Sequence, residues 1–154
     1  MTLGEYERPI TAENIAKHRP VNSSWSYDSF IMDFGNDDNF GSAWHSNPRI
    51  KEPWYEVEFE RTRPFNMISL VDDNQSFSSY RVHYLKDGVW HEIPVTPKDG
   101  KVKVHRFDEV WGNKVKVTFT KKNENERMYL NEIACITNAA TKKKIHSLPS
   151  SPIR

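Results

Sequence analysis

Three stretches of this 154-residue chain alternate apolar and polar residues: PWYEVEF at 53–59, SSYRVHY at 78–84 and NKVKVTF at 113–119. Successive side chains of a strand point to opposite faces, so this alternation places the apolar residues in a core and the polar ones in water. Four shorter apolar or alternating runs predict further strands, at 67–71, 89–93, 102–104 and 129–136. Lys-Asp-Gly turn signals lie at 86–88 and 98–100. The pattern predicts an all-β fold, an antiparallel β-sandwich.

Helix signals are few. A short helical turn is predicted for Thr11 to Lys17, with Thr11 as its N-cap, before Pro20 stops it. The segment at 141–154, TKKKIHSLPSSPIR, is basic and rich in Pro and Ser, and we expect it to be flexible. Its lysines, and the pair Lys121 and Lys122, lack interleaved aromatic residues, so we expect solvated charges and no nucleic-acid partner.

Composition limits the partners of the chain. Its 22 Lys and Arg residues nearly balance 21 Asp and Glu residues, for a formal net charge of +1. No overall field therefore favours nucleic acid or an anionic membrane. The sequence contains neither a membrane-spanning apolar run nor the apolar region of a signal peptide. Its one cysteine, Cys135, excludes an internal disulfide, and we expect its thiol to be buried and inert.

Motifs for catalysis are missing from the sequence. It has no GxSxG nucleophile motif, no P-loop and no glycine fingerprint. His83, His91 and His105 lie on predicted strands without the spacing of a zinc site, and we expect surface imidazoles there. Asp72 and Asp73 are adjacent, so on a strand they point to opposite faces and cannot form a glycosidase-type carboxylate pair. We therefore predict a module that is not an enzyme.

The most unusual segment is FGNDDNFGSAW at 34–44, where acidic and amide side chains lie between two glycines. Oxygen donors on a bent backbone suit Ca²⁺, which takes about six to eight oxygen ligands. The EF-hand template fails, because its glycine would fall at Ser42. A plain turn rich in Asp and Asn is the alternative, and the residues alone leave both readings open.

Several motifs in fixed order carry a resemblance to a known family. NIAKHRPV at 14–21, DDNFGSAWHS at 37–46 and PWYEVEF at 53–59, followed by SSYRVHYLKDGVWHEI and YLNEIACI, resemble the discoidin or coagulation-factor 5/8 type C family. The resemblance covers residues 14–136 and implies a jelly-roll β-sandwich of the galactose-binding-like kind. The domain division that it implies is a linker or remnant of an upstream domain at 1–13, the sandwich at 14–138 and a flexible tail at 139–154.

The resemblance also implies a structural calcium site that clamps the acidic segment to the last strand and so stabilises the fold. Asp38 replaces the family's usual glycine and Ser42 its usual threonine, but Ser42 keeps a hydroxyl, so the resemblance favours calcium over the plain turn. The residues that match the family's ligands, two of them through main-chain carbonyls, are Phe34, Asp37, Asn39, Ser42, Asn131 and Glu132.

A sugar site is implied with several departures from the family's pattern. Sugar-binding relatives use the histidine of a W-H-S/T segment, which His45 matches. Pro48 stands where a stacking tryptophan is usual, and Asp72 or Asp73 lies in the region of the usual arginine.

We therefore expect a substitute aromatic platform, Trp25 and Tyr27, with Arg49 as a hydrogen-bond donor. The predicted ligand-binding residues are Trp25, Tyr27, His45, Arg49, Asp72 and Asp73. The remaining tryptophans are expected to be core or structural: Trp44, Trp54, Trp90 and Trp111.

Within the family, the chain is most similar to the C-terminal modules of bacterial α-L-fucosidases, through FNMISLV, SYRVHYLKDGVWHEIPV and VHRFDEVWGNKVKVTF. This resemblance implies a non-catalytic carbohydrate-binding or accessory module of a glycoside hydrolase. Its expected partners are a galactose- or fucose-containing glycan and an upstream catalytic domain. Only family analogy implies a periplasmic or extracellular location.

Two alternatives stay open. One is a purely structural module that packs on a catalytic domain without a ligand of its own. The other is an adhesion module that binds phospholipid or protein through Trp25, Tyr27 and Phe30. The loops that carry these rings also carry acidic residues such as Asp28 and Asp33, which oppose an anionic lipid surface, so membrane binding is not expected.

Overall fold

The computed structural model describes residues 13–25, 32–39 and 41–137. Within these ranges the chain forms eight β-strands and a single turn of 3-10 helix, Asp33–Gly35. The strands are β1 (Val21–Ser23), β2 (Trp44–His45), β3 (Trp54–Val71), β4 (Phe77–Lys86), β5 (Val89–Ile93), β6 (Val102–Lys121), β7 (Tyr129–Leu130) and β8 (Glu132–Ile136). The predicted all-β class is confirmed. In the described part of the chain no helix has the length and apolar character needed to cross a membrane.

The described strands pair antiparallel throughout. In the main sheet the order is β1-β3-β6-β4-β5, and β8 pairs with β3, while β2 and β7 form a separate two-stranded ribbon. Neighbours far apart in sequence, such as β3 beside β6 and β8, are typical of a jelly-roll sandwich. This arrangement confirms the predicted architecture.

The long strand β3 joins two groups of strands. Its residues 54–58 lie between β1 and the second half of β6, whereas 67–71 lie between β8 and the first half of β6. Register shifts within 58–67 separate the halves. The sequence predicts two strands here, but the pairing with β6 continues across these irregularities, which bend a strand without ending it.

Aromatic rings fill the core and tie the β2–β7 ribbon to the main sheet. The ring of Trp44 on β2 lies 5.2 Å from that of Tyr55 on β3, measured between centroids. Phe119 on β6 follows at 6.4 Å from Trp44 and 4.7 Å from Phe77. All four side chains are buried. Aromatic rings of this size pack in few arrangements when buried. The packing of Trp44 therefore fixes the position of β2 and of His45, the other residue of this strand.

The first part of β6 has the opposite orientation to the one its sequence predicts. The alternation at 102–104 predicts that Val102 and Val104 face the core, but Val102 is 36% exposed, and Lys103 and His105 are buried. Lys103 and His105 pair with Leu70 and Ile68 of β3, which belong to the hydrophobic core, so the two polar side chains lie on that inward face. The expectation of a surface imidazole at His105 is therefore wrong.

One further side-chain prediction is wrong, and two tryptophans are too exposed to be core residues. Lys121 is buried rather than solvated, and its Nζ donates to the Pro48 carbonyl at 2.7 Å. Its apolar stem tolerates burial once the ammonium has an acceptor. Trp90 and Trp111, expected in core or structural positions, are 37% and 49% exposed.

The N-terminal segment forms a turn instead of the predicted helix from Glu13 onward. Asn14 Oδ1 accepts hydrogen bonds from the amides of Ala16 and Cys135, both at 3.0 Å. This side chain therefore ties the turn to β8, in competition with a helical backbone. Cys135 is buried as expected, and burial raises the pKa of its thiol. The predicted N-cap Thr11 and the predicted tail at 139–154 lie outside the described residues, as does most of the predicted linker.

Candidate functional site

Three segments from distant parts of the chain meet at one end of the sandwich, here called the loop end: 41–50, 72–76 and 127–131. Asn131 joins all three, because its Nδ2 donates to the Ser42 carbonyl at 3.3 Å and its Oδ1 accepts from the Asp73 amide at 3.0 Å. Ser76 adds a second link, since its hydroxyl oxygen accepts from the Tyr129 amide at 2.7 Å. Side-chain hydrogen bonds thus hold the loop end together.

His45 lies on β2 opposite Tyr129 on β7, with the ring centroids 6.0 Å apart. The imidazole is half-buried, and its pKa is lowered first by burial and then by the positive charge of Arg127. At neutral pH the ring is therefore uncharged, with one nitrogen as a donor and one as an acceptor. A polar ring beside an aromatic one suits a ligand that combines hydroxyl groups with apolar faces.

Asp72 has a structural position that conflicts with its predicted role in ligand binding. Its carboxylate is completely buried. Oδ2 accepts from the amides of Ser76 and Phe77 at 2.7 and 3.2 Å, and Oδ1 accepts from the Ser76 hydroxyl at 2.9 Å. The Lys103 ammonium lies 3.8 Å away. Because these groups occupy the carboxylate, Asp72 stabilises the turn at 72–77 and has no contact with solvent.

Asp73 and Arg49 lie at the surface of the loop end. The Asp73 side chain is 63% exposed and lies 3.6 Å from the Lys101 ammonium. Arg49 is exposed, and its amide donates to Asn47 Oδ1 at 2.9 Å, which fixes the turn that carries it. Both side chains are therefore accessible to a ligand.

Of the two residues of the predicted aromatic platform, the structure describes Trp25. The Trp25 carbonyl accepts a hydrogen bond from Trp44 Nε1 at 3.2 Å. This bond places Trp25 beside the strand that carries His45. Tyr27, its predicted companion, lies outside the described residues.

Beside the loop end, Asp37, Asn39 and Ser42 form a compact acidic loop. The Ser42 hydroxyl oxygen lies 2.7 Å from Asp37 Oδ2 and 3.1 Å from the Asn39 carbonyl. The Asn39 amide donates to Asp37 Oδ1 at 3.1 Å. Three of the predicted calcium ligands are therefore neighbours in space.

Glu132, at the start of β8, connects this loop to the sandwich. Its carboxylate is buried, and both of its oxygens accept from the Asp38 amide at 3.1 Å. Burial, followed by the negative charges of Asp37 and Asp38, raises the pKa of Glu132 to about 8. The Lys17 ammonium offsets part of this effect, since it lies 3.1 Å from Asp38 Oδ2. The positive charge near Glu132 is thus too small to offset the effects of burial and of the neighbouring carboxylates on its pKa.

The donor set suits a hard cation. Carboxylates of Asp37 and Glu132, the Ser42 hydroxyl and main-chain carbonyls are the oxygen types that calcium prefers. In the described ranges no group of three or more His, Cys, Asp or Glu side chains is arranged to hold a metal ion. A cation here would therefore depend on the hydroxyl and on carbonyls such as those of Phe34 and Asn131, a mixture that calcium accepts.

Tyr129 and Arg127 belong to the candidate site but are not among the residues predicted from the sequence. Tyr129 reads in the sequence as part of the strand YLNEIACI. Its position beside His45 depends on the pairing of β2 with β7, which joins residues far apart in the chain. An aromatic residue at the beginning of that strand is the only local signal.

Comparison with known proteins places this geometry in a family context. The family model for the F5/8 type C domain matches residues 10–133. A search of curated protein sequences gives no match.

Several solved structures share the fold. A chitosan-binding module of a chitosanase/glucanase from Paenibacillus sp. IK-5 is 18% identical, with a TM-score of 0.72 over 80% of this chain and 98% of that one. The family 32 CBM of NanJ from C. perfringens, solved with galactose, is 16% identical, with a TM-score of 0.68 over 81% of this chain and 98% of that one.

A third similar structure is a much longer enzyme. The GH29 fucosidase E1_10125 of Ruminococcus gnavus, solved with fucose, is 19% identical, with a TM-score of 0.70. The match covers 84% of this chain but only 28% of the fucosidase. At this level of identity the likeness shows a shared fold.

Proposed function

Since the chain belongs to the F5/8 type C domain family, we propose that it is a non-catalytic carbohydrate-binding module that holds a partner enzyme near its glycan. Tethering of this kind raises the effective concentration at the substrate without changing the chemistry. Two structures with a similar fold support the proposal, a chitosan-binding module from Paenibacillus and a family 32 CBM from C. perfringens that was solved with galactose.

The observation that carries the proposal is the pairing of His45 with Tyr129 at the loop end. An uncharged imidazole hydrogen-bonds to sugar hydroxyls, and the neighbouring aromatic ring contacts the apolar face of a pyranose. Arg49 and Asp73 add exposed polar groups at the same loop end. We infer that these four residues, with Trp25 beside them, form the glycan site.

A glycan array with the purified chain tests this site, followed by calorimetry with galactose, fucose and chitosan oligosaccharides. We expect His45→Ala to abolish binding that the unmodified chain shows. The matched control is His91→Ala, since His91 is exposed on β5 and stacks on Tyr84 with centroids 5.1 Å apart. A blank array, or equal loss in both variants, would contradict the proposed site.

We also propose that the acidic loop binds a structural calcium ion, through side-chain oxygens of Asp37, Ser42 and Glu132 together with carbonyls of the loop. The raised pKa of Glu132 supports this assignment, because a bound cation would offset the charge of this buried carboxylate and of the neighbouring Asp37. The ion would stabilise the fold and take no part in sugar contact.

The parent protein is a further part of the proposal. We infer a glycoside hydrolase of the fucosidase kind, because the match to the Ruminococcus gnavus enzyme leaves most of that chain for other domains. The segment at 1–13 would then link the two parts, and the complex would act on glycans outside the cytoplasm. Activity of the parent enzyme on polymeric and on small substrates, with and without this module, tests the idea. A module that assists by tethering should matter only for the polymer.

A further inference from the structure

The outer face of the main sheet carries a second group of aromatic residues, on β3 and β5. The Lys116 ammonium on β6 lies 5.3 Å from the ring centroid of Trp54 on β3 and 4.8 Å from that of Trp90 on β5. The neighbours of Lys116 in sequence, Val115 and Val117, are completely buried. Lys116 therefore points away from the core, and the two indole rings flank it on the same side of the sheet.

The polar groups around these rings are mostly paired with one another. Glu56 lies 3.5 Å from the Lys114 ammonium, and Arg81 donates to both carboxylate oxygens of Glu92 at 3.1 and 3.2 Å. Lys116 is different, because it forms no ion pair with any residue in the described part of the chain. Its ammonium, placed between two aromatic rings, is available to an anionic group.

A basic hollow extends this face along β6. Thr118 and Thr120 lie on the same side of β6 as Lys116, because the residues between them are buried on the opposite side. Beyond them lies a hollow of about 210 Å³ whose lining contains three lysines and a single acidic residue. The lining residues are Lys51, Thr120, Lys121, Lys122 and Glu124. The face therefore combines the exposed Trp90 and the half-buried Trp54 with an excess of positive charge at one end.

This combination favours a carbohydrate over a protein as the occupant. The buried centre of a protein interface is depleted in charged residues, whereas here charged side chains separate the two indole rings. A pyranose has apolar faces for the rings and hydroxyl edges for the polar groups between them. The unpaired ammonium of Lys116 and the basic hollow add complementarity to a negative substituent.

We propose that this outer face is a second glycan-binding surface, for a polysaccharide that carries carboxylate or sulfate groups. Its sugar rings contact Trp54 and Trp90, and its anionic group pairs with Lys116. Its two tryptophans lie on β3 and β5, whereas His45 lies on β2, so variants of the two sites test them independently.

Affinity electrophoresis of the 154-residue chain tests the proposal, with polygalacturonate, chondroitin sulfate or uncharged galactan in the gel. We expect an acidic polymer to retard the chain at low salt and galactan to have a weaker effect. Comparison of the two acidic polymers separates carboxylate from sulfate as the preferred group. Trp90→Ala and Lys116→Met should each weaken binding by about tenfold, the effect of losing one ring contact or one paired charge.

Matched variants distinguish binding at this surface from non-specific electrostatic attraction between the chain and an acidic polymer. Trp111→Ala removes another exposed tryptophan, and Lys114→Met removes a lysine that is already paired with Glu56. Both should leave the retardation unchanged, as should His45→Ala. The proposal is overturned if neither acidic polymer retards the chain, if galactan retards it equally, if Lys114→Met weakens binding as much as Lys116→Met, or if His45→Ala abolishes it.

Discussion

The Asp38 amide donates to both carboxylate oxygens of Glu132, at 3.1 Å each. This fork ties the acidic loop to the first residue of β8, the strand that pairs with the second half of β3. Asp38 has a φ of 62°, in the left-handed region where Asp and Asn are the best tolerated residues after glycine. The loop therefore holds an unusual backbone conformation in order to aim this amide at a buried acid.

The first prediction concerns calcium and thermal stability. If the acidic loop binds calcium, the melting temperature should rise on addition of CaCl₂ and fall with a chelator. At a calcium concentration 100 times the Kd, the linkage contributes about 2.7 kcal/mol, which is several degrees for a domain of this size. Calorimetry of the purified chain in both conditions measures it.

Two variants of the same loop sharpen this experiment. Asp37→Asn removes a proposed ligand and should abolish the calcium response. Asp38→Asn is the matched control, because Asn keeps the left-handed backbone while the Asp38 carboxylate pairs with Lys17 instead. Equal melting temperatures with calcium and chelator in the unmodified chain would rule out the calcium site.

The second prediction is a pH dependence of the calcium-free chain. The folded pKa of Glu132, about 8, exceeds the ordinary value of 4.5, so between these two values the folded state holds a proton that the unfolded state has lost. Stability should therefore fall as pH rises from about 4.5 to about 8. Glu132→Gln should flatten this part of the profile, because the amide does not ionise. Chemical denaturation in chelator at several pH values measures the slope, and a profile unchanged by Glu132→Gln would argue against the shifted pKa.

Much of the fold follows from local sequence, since alternation identifies the strands wherever inward positions carry apolar residues, as at Tyr55 and Val57. The first half of β6 defeats this reasoning. There Lys103 and His105 face the interior. Their polar partners, Asp72 and Tyr80, come from other parts of the chain, and only these contacts make the orientation stable. The same limit applies to the site. His45 could be proposed from its motif, but Tyr129 opposes it through a pairing of distant strands that no local pattern contains.

The third prediction concerns the buried pair of Asp72 and Lys103. The Lys103 ammonium donates to the Gly100 carbonyl at 2.5 Å and lies 4.7 Å from the Phe77 ring centroid. Removal of one partner leaves a buried charge without compensation, so Asp72→Ala should lower the free energy of unfolding by about 3–5 kcal/mol. Loss of the hydrogen bonds to Ser76 adds to this cost.

A double-mutant cycle with Lys103→Met separates the two effects. The double variant should recover part of the loss, because it removes the uncompensated ammonium while the methionine still fills the space. Urea denaturation of the four proteins gives the coupling energy. Strictly additive losses would mean that the two side chains do not interact, despite their 3.8 Å separation.

The fourth prediction is a loss of stability in mild acid that originates at His105. Its Nε2 lies 2.6 Å from the Tyr80 hydroxyl oxygen, and that oxygen also accepts from the Lys98 amide at 3.0 Å. Burial, followed by the charge of Lys98, lowers the pKa of His105 to about 4 from an ordinary 6.5. Between these values the unfolded state binds a proton that the folded state does not. The contribution of His105 to stability is therefore complete above pH 6.5 and declines as pH falls to about 4.

His105→Gln should remove this slope while Tyr80 keeps a hydrogen-bond partner. His83→Gln, on the outer face of β4 where the imidazole is only half-buried, is the control and should retain most of it. If both variants keep the acid-dependent loss of stability, the proton is taken up elsewhere and the buried Tyr80–His105 contact does not cause the loss.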